Sequence, residues 1–178
     1  MAFAYYSRLT QTEKRIYRKS DEISSVPVPA YPVLGRAVEE LERALATGNR
    51  PLTRLTSQKF ISLLAKILKV PPVQVEVMAV RPSRRWGELH GLYTPGRASA
   101  VATITVWMRT AQRRQVVAFR TFLRTLIHEL CHHLDYELFR LPESFHTEGF
   151  YKRESSLVHQ LMGIAGQDGT STREGRSP

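Results

Sequence analysis

The chain has 178 residues, enough for one compact domain that buries roughly 70% of its unfolded surface without a disulfide staple. Its 42% hydrophobic and 24% charged residues exclude wholesale disorder, and a single cysteine, Cys131, excludes an internal disulfide and any Cys-rich zinc ribbon. Lys+Arg 26 against Asp+Glu 16 gives a formal charge of +10, a field that draws polyanions such as DNA, RNA or an anionic membrane surface.

Thr10-Gln-Thr-Glu13 is a capping-box pattern that predicts a short helix to about Asp21. Val26 to Pro32 is a Pro-rich, extended connector. Arg36 to Ala46 reads as an amphipathic helix with Val38, Leu41 and Leu45 on one side, stopped by Gly48. Thr56 or Ser57 caps the next, which carries Phe60, Ile61, Leu64, Ile67 and Leu68 and ends at Pro71-Pro72. Alternation of Val73, Val75 and Val77 with Gln74 and Glu76 gives a strand to about Val80. Glu88–Tyr93 and Ser99–Met108 read as two more, joined by a hairpin-type connection at Thr94–Arg97. A long helix, Gln112 to about Phe139, buries Val116, Phe119, Leu123, Leu126, Ile127, Leu130 and Leu134, and Pro142 closes it. A last helix is expected from Thr147 to Met162, followed by a disordered tail, 166–178. This order argues for one α+β domain over residues 1–165, with a helical part at about 8–70 and a core at about 71–163. No apolar stretch reaches about 20 residues, since Lys66 and Lys69 interrupt the best one, and Met1–Arg15 has no apolar leader core. The expectation is an intracellular, cytoplasmic protein without a membrane segment.

The chemistry sits in the long helix, at His128-Glu129-Leu130-Cys131-His132, an H-E-x-x-H sequence. Residues four apart share a helix face, separated by about 6 Å along the axis, so both imidazoles can reach one Zn²⁺. Glu129 lies about 100° around the helix, beside the metal rather than on it, where it can take a proton from the activated water. By composition roughly 0.015 such matches arise by chance per shuffled sequence, and its position on a strongly periodic helix adds to its weight.

Catalytic zinc takes three protein ligands. The downstream candidates are His133, Asp135, Glu143, His146, Glu148, Glu154 and His159. Asp135 and Leu138 stand where a metzincin needs glycine and histidine, which excludes that class. His133 points about 100° away from His132. Glu154 suits a glutamate-ligand arrangement from the following helix, and His146 stands just before that helix.

His128-Glu129-x-x-His132 followed by His146-x-x-x-Phe150 resembles the SprT-like zinc metallopeptidases, the family that includes Spartan. The resemblance spans about residues 86–160. It implies a zincin-like fold, with a small sheet of three or more strands packed on a long metal-binding helix. It further implies one Zn²⁺ held by His128, His132 and His146, Glu129 as general base, and endopeptidase action on proteins, DNA-associated ones in the Spartan branch. Thr147 replaces the family's usual glycine, and the C-terminal zinc ribbon of many members has no counterpart. The alternatives are an ImmA/IrrE-type regulatory protease, to which an acidic third ligand would point, and a basic nucleic-acid-binding module with a non-catalytic metal site.

Between Arg81 and Arg124 there are nine arginines and one acid, Glu88. Arginine suits phosphate contacts, so DNA is a candidate partner through this segment. Asp135 can orient a ligand imidazole from behind or remain a solvated charge. Tyr136, Tyr151 and Arg153 are candidates for holding an oxyanion, with packing as the plainer role. Trp86, Tyr93 and Trp107 can stack on bases or fill the core. Cys131 reads as a small core residue. Strand 99–108, were it the sheet edge, would pair with an extended substrate.

Overall fold

A helix begins where something satisfies or removes its unpaired first amides. The computed structural model, which describes residues 3–84, 87–96 and 100–171, follows that rule at each N-terminal helix. After a short 3-10 segment, Ala4–Arg8, the reciprocal Thr10–Glu13 box opens α1, Gln11–Glu22. Helix α2, Pro32–Ala46, starts ahead of the expected Arg36 because a proline lacking its N–H fits the first turn. Helix α3, Arg50–Ile67, starts ahead of Thr56: Asn49 Oδ1 accepts from the Leu52 amide at 3.0 Å, and Pro51 occupies the first turn. Helix α4, Phe119–Glu137, starts later than the expected Gln112. The Val117 amide donates to the Met108 carbonyl at 2.9 Å, and Arg114 turns the chain at φ 51°, so 110–117 folds back on the preceding strand instead. Helix α5, Glu148–Ser171, continues past Met162 into the expected tail, of which 172–178 lie outside the described residues.

Among the described residues these five helices accompany a mixed sheet of three strands, ordered β1, Val73–Val80; β5, Ala102–Arg109; and β4, Gly91–Thr94. A separate hairpin pairs β2, Ser83–Arg84, with β3, Gly87–Glu88. The expected strand 88–93 is thus divided between the hairpin and the sheet. The expected turn at Thr94–Arg97 runs into 97–99, outside the described residues. Strand β5 is parallel to β1 and antiparallel to β4. It is therefore the central strand and has no free edge for a substrate.

One sheet face carries the core. Val73, Val75 and Val77 of β1 and Ala102, Ile104, Val106 and Met108 of β5 are buried, while α3 packs on β1 and α4 on β4 and β5. Each fully buried aliphatic side chain of this kind contributes about 1.5–3 kcal/mol. Thr103, Thr105 and Trp107 occupy the opposite face, half-buried.

The N-terminal layer is fastened to α5 by polar contacts. The Val28 amide donates to Gln160 Oε1, and Gln160 Nε2 donates to the Val26 carbonyl, both at 2.9 Å. Gly149 lies so close to the Asp21 backbone that any Cβ would collide with it, and its amide donates to Asp21 Oδ1 at 2.8 Å. No helix among the described residues is long and apolar enough to cross a membrane.

Candidate metal centre

His128 and His132 project from one face of α4, and the loop before α5 brings His146 to them. Ligand nitrogens of all three lie within 4.8 Å of one another. His146 Nε2 is 3.0 Å from His128 Nε2 and 3.1 Å from His132 Nε2. The opposite ring nitrogens fix where the protons are. His128 Nδ1 faces Glu154 Oε2 at 2.9 Å and must donate to that carboxylate. His132 Nδ1 meets Ser144 Oγ at 2.7 Å, and Ser144 gives its own proton to Asp135 Oδ2 at 2.7 Å. His132 therefore also donates through Nδ1, and both Nε2 atoms present lone pairs to the centre. Burial, reinforced by His146 and His128, pushes His132 down to about 3, and burial lowers His146 too.

Two inward lone pairs with a third ring nitrogen beside them, all within 4.8 Å, are a donor set that fits a metal ion. Four-coordinate zinc at about 2.0–2.1 Å from each nitrogen spaces its donors by about 3.3–3.4 Å. A small opening of the rings meets that requirement. The outer contacts are those that ligating histidines generally have. Arg124 Nη1 holds Glu154 Oε1 at 2.6 Å. Burial raises Glu154, but the hydrogen bonds from His128 and Arg124 outweigh it and its carboxyl is lowered overall.

Glu129, 6% exposed, lies beside this point. The Tyr93 backbone amide of β4 donates to its carboxylate. Burial pushes the carboxyl up to about 7, with His128 pulling it down; a cation among the histidines lowers it further. Gly91 is a spatial necessity here, because a Cβ would run into the Glu129 carboxylate. A cleft crosses the centre in two halves that share Gly91, His128 and Glu129. One, of about 300 Å³, adds Leu92, Tyr93, Pro95 and Tyr136. The other, of about 510 Å³, adds Thr121, Arg124, Thr125 and Tyr151.

The remaining candidates have definite places. Glu154 lies outside the ligand cluster, behind His128. His133 is buried, with Nε2 donating to the Pro71 carbonyl and Nδ1 accepting from the Tyr93 hydroxyl, each at 3.0 Å, so it faces away from the centre. Asp135 does not touch a ligand imidazole directly but acts through Ser144, and its other oxygen accepts from Arg153 Nη2 at 2.6 Å. It is no solvated charge: both partners are fully buried. Burial raises Asp135, with Arg153 and Ser144 pulling it down. Arg153 also donates to the Ser20 and Ile23 carbonyls and is enclosed by Phe139 and Phe150, which removes it as an oxyanion holder. Cys131 is buried, and burial raises its thiol. Tyr93 belongs to the site, stacked between His132 and Tyr136. Thr147, where the SprT-like pattern has glycine, caps α5 by accepting from the Phe150 amide at 2.9 Å.

Gly91, Ser144 and Tyr5 escape the sequence reading, and Arg124 enters it only as one arginine of the DNA-candidate segment, because each acts on a residue distant in the chain. The arginines divide. Arg81 is buried, Arg109 donates to the Gly48 and Arg114 carbonyls, and Arg113, Arg114, Arg120 and Arg124 are exposed. The side chains of Arg84, Arg85, Trp86 and Arg97 lie outside the described residues. Compared with known proteins, the chain matches no family model, no curated protein and no solved structure.

Proposed function

We propose that this chain is a zinc-dependent endopeptidase of the SprT-like kind, with a zincin-like arrangement of active helix and edge strand. The observation that carries the reading is the convergence of three imidazoles, two of them with Nε2 lone pairs turned inward, beside a buried glutamate, in a cleft walled by β4. A Zn²⁺ ion held by His128, His132 and His146 supplies Lewis acidity, lowering the pKa of a water towards about 7 and polarising a carbonyl. Glu129 accepts the proton of the attacking water on a carboxylate oxygen and returns it to the amine nitrogen that leaves. The Tyr93 amide orients that carboxylate, and Gly91 leaves it room. Among the described residues β4 pairs only with β5, so its other edge suits an extended peptide added as a further strand. This assigns to β4 the role expected of strand 99–108. The all-histidine cluster favours the SprT-like reading over the ImmA/IrrE-type one, for which the third ligand would be acidic.

The test is paired. Zinc content by elemental analysis should be about one ion per chain. Glu129→Gln should keep that ion and lose about 10²–10⁴-fold in peptide or casein cleavage. Full cleavage by the metal-free protein, or wild-type cleavage by Glu129→Gln, would sink the reading. Exposed Arg113, Arg114, Arg120 and Arg124 support DNA as a neighbour of the substrate. Fluorescence anisotropy should find salt-dependent, sequence-independent binding, and no binding at low salt would remove DNA while leaving the peptidase.

A further inference from the structure

The two halves of the cleft differ in chemistry. Around the shared centre, the half toward Pro95 is apolar and aromatic, built from Leu92, Tyr93, Pro95 and Tyr136. The half toward the start of β4 holds Arg124, one turn ahead of His128 on α4, between Thr121, Thr125 and Tyr151. Arg124 is neither buried nor loose. Its side chain is 45% exposed, yet Nη1 is fixed by the buried Glu154 at 2.6 Å and by Ser155 Oγ at 3.3 Å. Among the described residues only Nη1 is so engaged, which leaves the rest of a planar, oriented fork for a ligand. Both Glu154 oxygens are already occupied, Oε1 by Arg124 and Oε2 by His128. An incoming anion therefore meets the guanidinium rather than an unmatched carboxylate. Arg124 also lines the adjoining groove between α4 and α5 with Arg120 and His159, so positive charge continues outward from the cleft.

The direction of a bound chain follows from β4. A peptide added antiparallel to Gly91–Thr94 runs from the Tyr93 end toward the Gly91 end, the pairing that is slightly the more stable per residue. Residues after the cut then lie on the Arg124 side. We infer that Arg124 is a specificity residue that reads a carboxylate just C-terminal to the scissile bond. This rests on the hydrolase reading above. The carboxylate has two sources: an Asp or Glu side chain at the first position after the cut, or the substrate's own C-terminus.

The experiment uses the full chain loaded with Zn²⁺ and a peptide series with Asp, Glu, Ala, Leu or Lys after the cut, each made with a free or amidated C-terminus. Cleavage should favour the carboxylate-bearing peptides by about tenfold or more in kcat/KM, the size expected of one charge-assisted hydrogen bond. Side-chain recognition survives amidation, whereas recognition of the terminus is abolished by it. In Arg124→Gln the ratio of acidic to neutral substrates should fall toward one. That ratio is insensitive to partial loss of metal or fold, which lowers both rates together. A second arm measures anisotropy of the same labelled peptides on Glu129→Gln, with and without Arg124→Gln. Carboxylate-selective binding that vanishes with Arg124 supports the subsite even without turnover, and the hydrolase reading alone then falls. Cleavage and binding without any carboxylate preference, or a preference that Arg124→Gln leaves intact, overturns the inference. So does a preference confined to residues before the cut.

Discussion

His128 and His132 are fixed from the side of their rings, whereas His146 is fixed from behind its backbone. On α4 the helix sets the spacing of the pair, and buried carboxylates set ring orientation: Glu154 for His128, and Asp135 through Ser144 for His132. The loop that carries His146 has no regular backbone to define it. Its carbonyl accepts from the Tyr5 hydroxyl at 2.8 Å, Phe145 packs against Tyr17, and the Tyr151 ring stacks on the imidazole at 5.8 Å. The N-terminal 3-10 segment and α1, through Tyr5 and Tyr17, thus support part of the candidate metal centre. The helical pair is oriented from α4, α5 and the loop between them, while the third ligand also depends on a layer more than a hundred residues away in the chain.

Arg153 joins the two systems, and removing it gives the largest effect. Its guanidinium ties Asp135 on α4 to the end of α1 through the Ser20 and Ile23 carbonyls. Arg153→Met leaves Asp135 buried without a counter-charge, which costs about 3–5 kcal/mol. Urea denaturation should read that loss, and zinc affinity should fall with it. A stable Arg153→Met protein with unchanged metal binding would break the link between layer and centre.

Glu154→Gln comes next and acts on the helical pair alone. The amide still accepts a hydrogen bond from His128 Nδ1 but loses the charge that strengthens that ligand and holds Arg124. Loss of an outer partner of this kind costs about 10–100-fold in metal affinity. Competition with a chromophoric chelator measures it. Stability in the zinc-free protein should change little by comparison. Complete loss of zinc from Glu154→Gln with full retention in His146→Ala would instead make the glutamate a ligand, as in the ImmA/IrrE-type alternative.

Local physics explains what could be read in advance. The H-E-x-x-H pair, the Thr10–Glu13 box, the alternation in β1 and the stripe on α4 are all expressed within a few turns of one element. What stayed hidden depends on crossings. Prolines 32 and 51 look like breakers in a string of letters, but in the first turn of a helix they are favourable. The apolar rhythm at Val116–Val117 continues that of α4, yet those residues bond back to β5 because the strand offers partners a helix start lacks. Parallel pairing of β1 with β5 leaves no mark in either strand. Glu154 was visible as a candidate ligand, but its position behind His128 follows from how α5 crosses α4. Thr147 stands where the SprT-like pattern has glycine, and its role as a cap for α5 shows only once the start of that helix is defined.

The smallest effect sharpens the comparison most. Tyr5→Phe deletes one hydroxyl and keeps the ring in its stack with Phe3 and its edge contact with Tyr17, at centroid distances of 6.2 and 6.1 Å. The phenol is a firm donor at neutral pH, since burial pushes its pKa up to about 12. A net hydrogen bond contributes about 0.5–1.5 kcal/mol, and at this partly exposed site water can replace it, so the low end applies. That predicts a loss of about two- to fivefold in zinc affinity, with thermal stability of the zinc-free protein unchanged. Tyr5→Ala also removes the ring from the aromatic cluster and should weaken binding further. Cobalt substitution adds a spectroscopic readout: its visible bands report ligand geometry and should shift in both variants if the His146 loop moves. A shift in Tyr5→Ala alone would assign the support to ring packing instead of the hydrogen bond. Unchanged bands and affinity in both would mean that the loop holds His146 unaided, and the contrast between the two kinds of ligand would disappear.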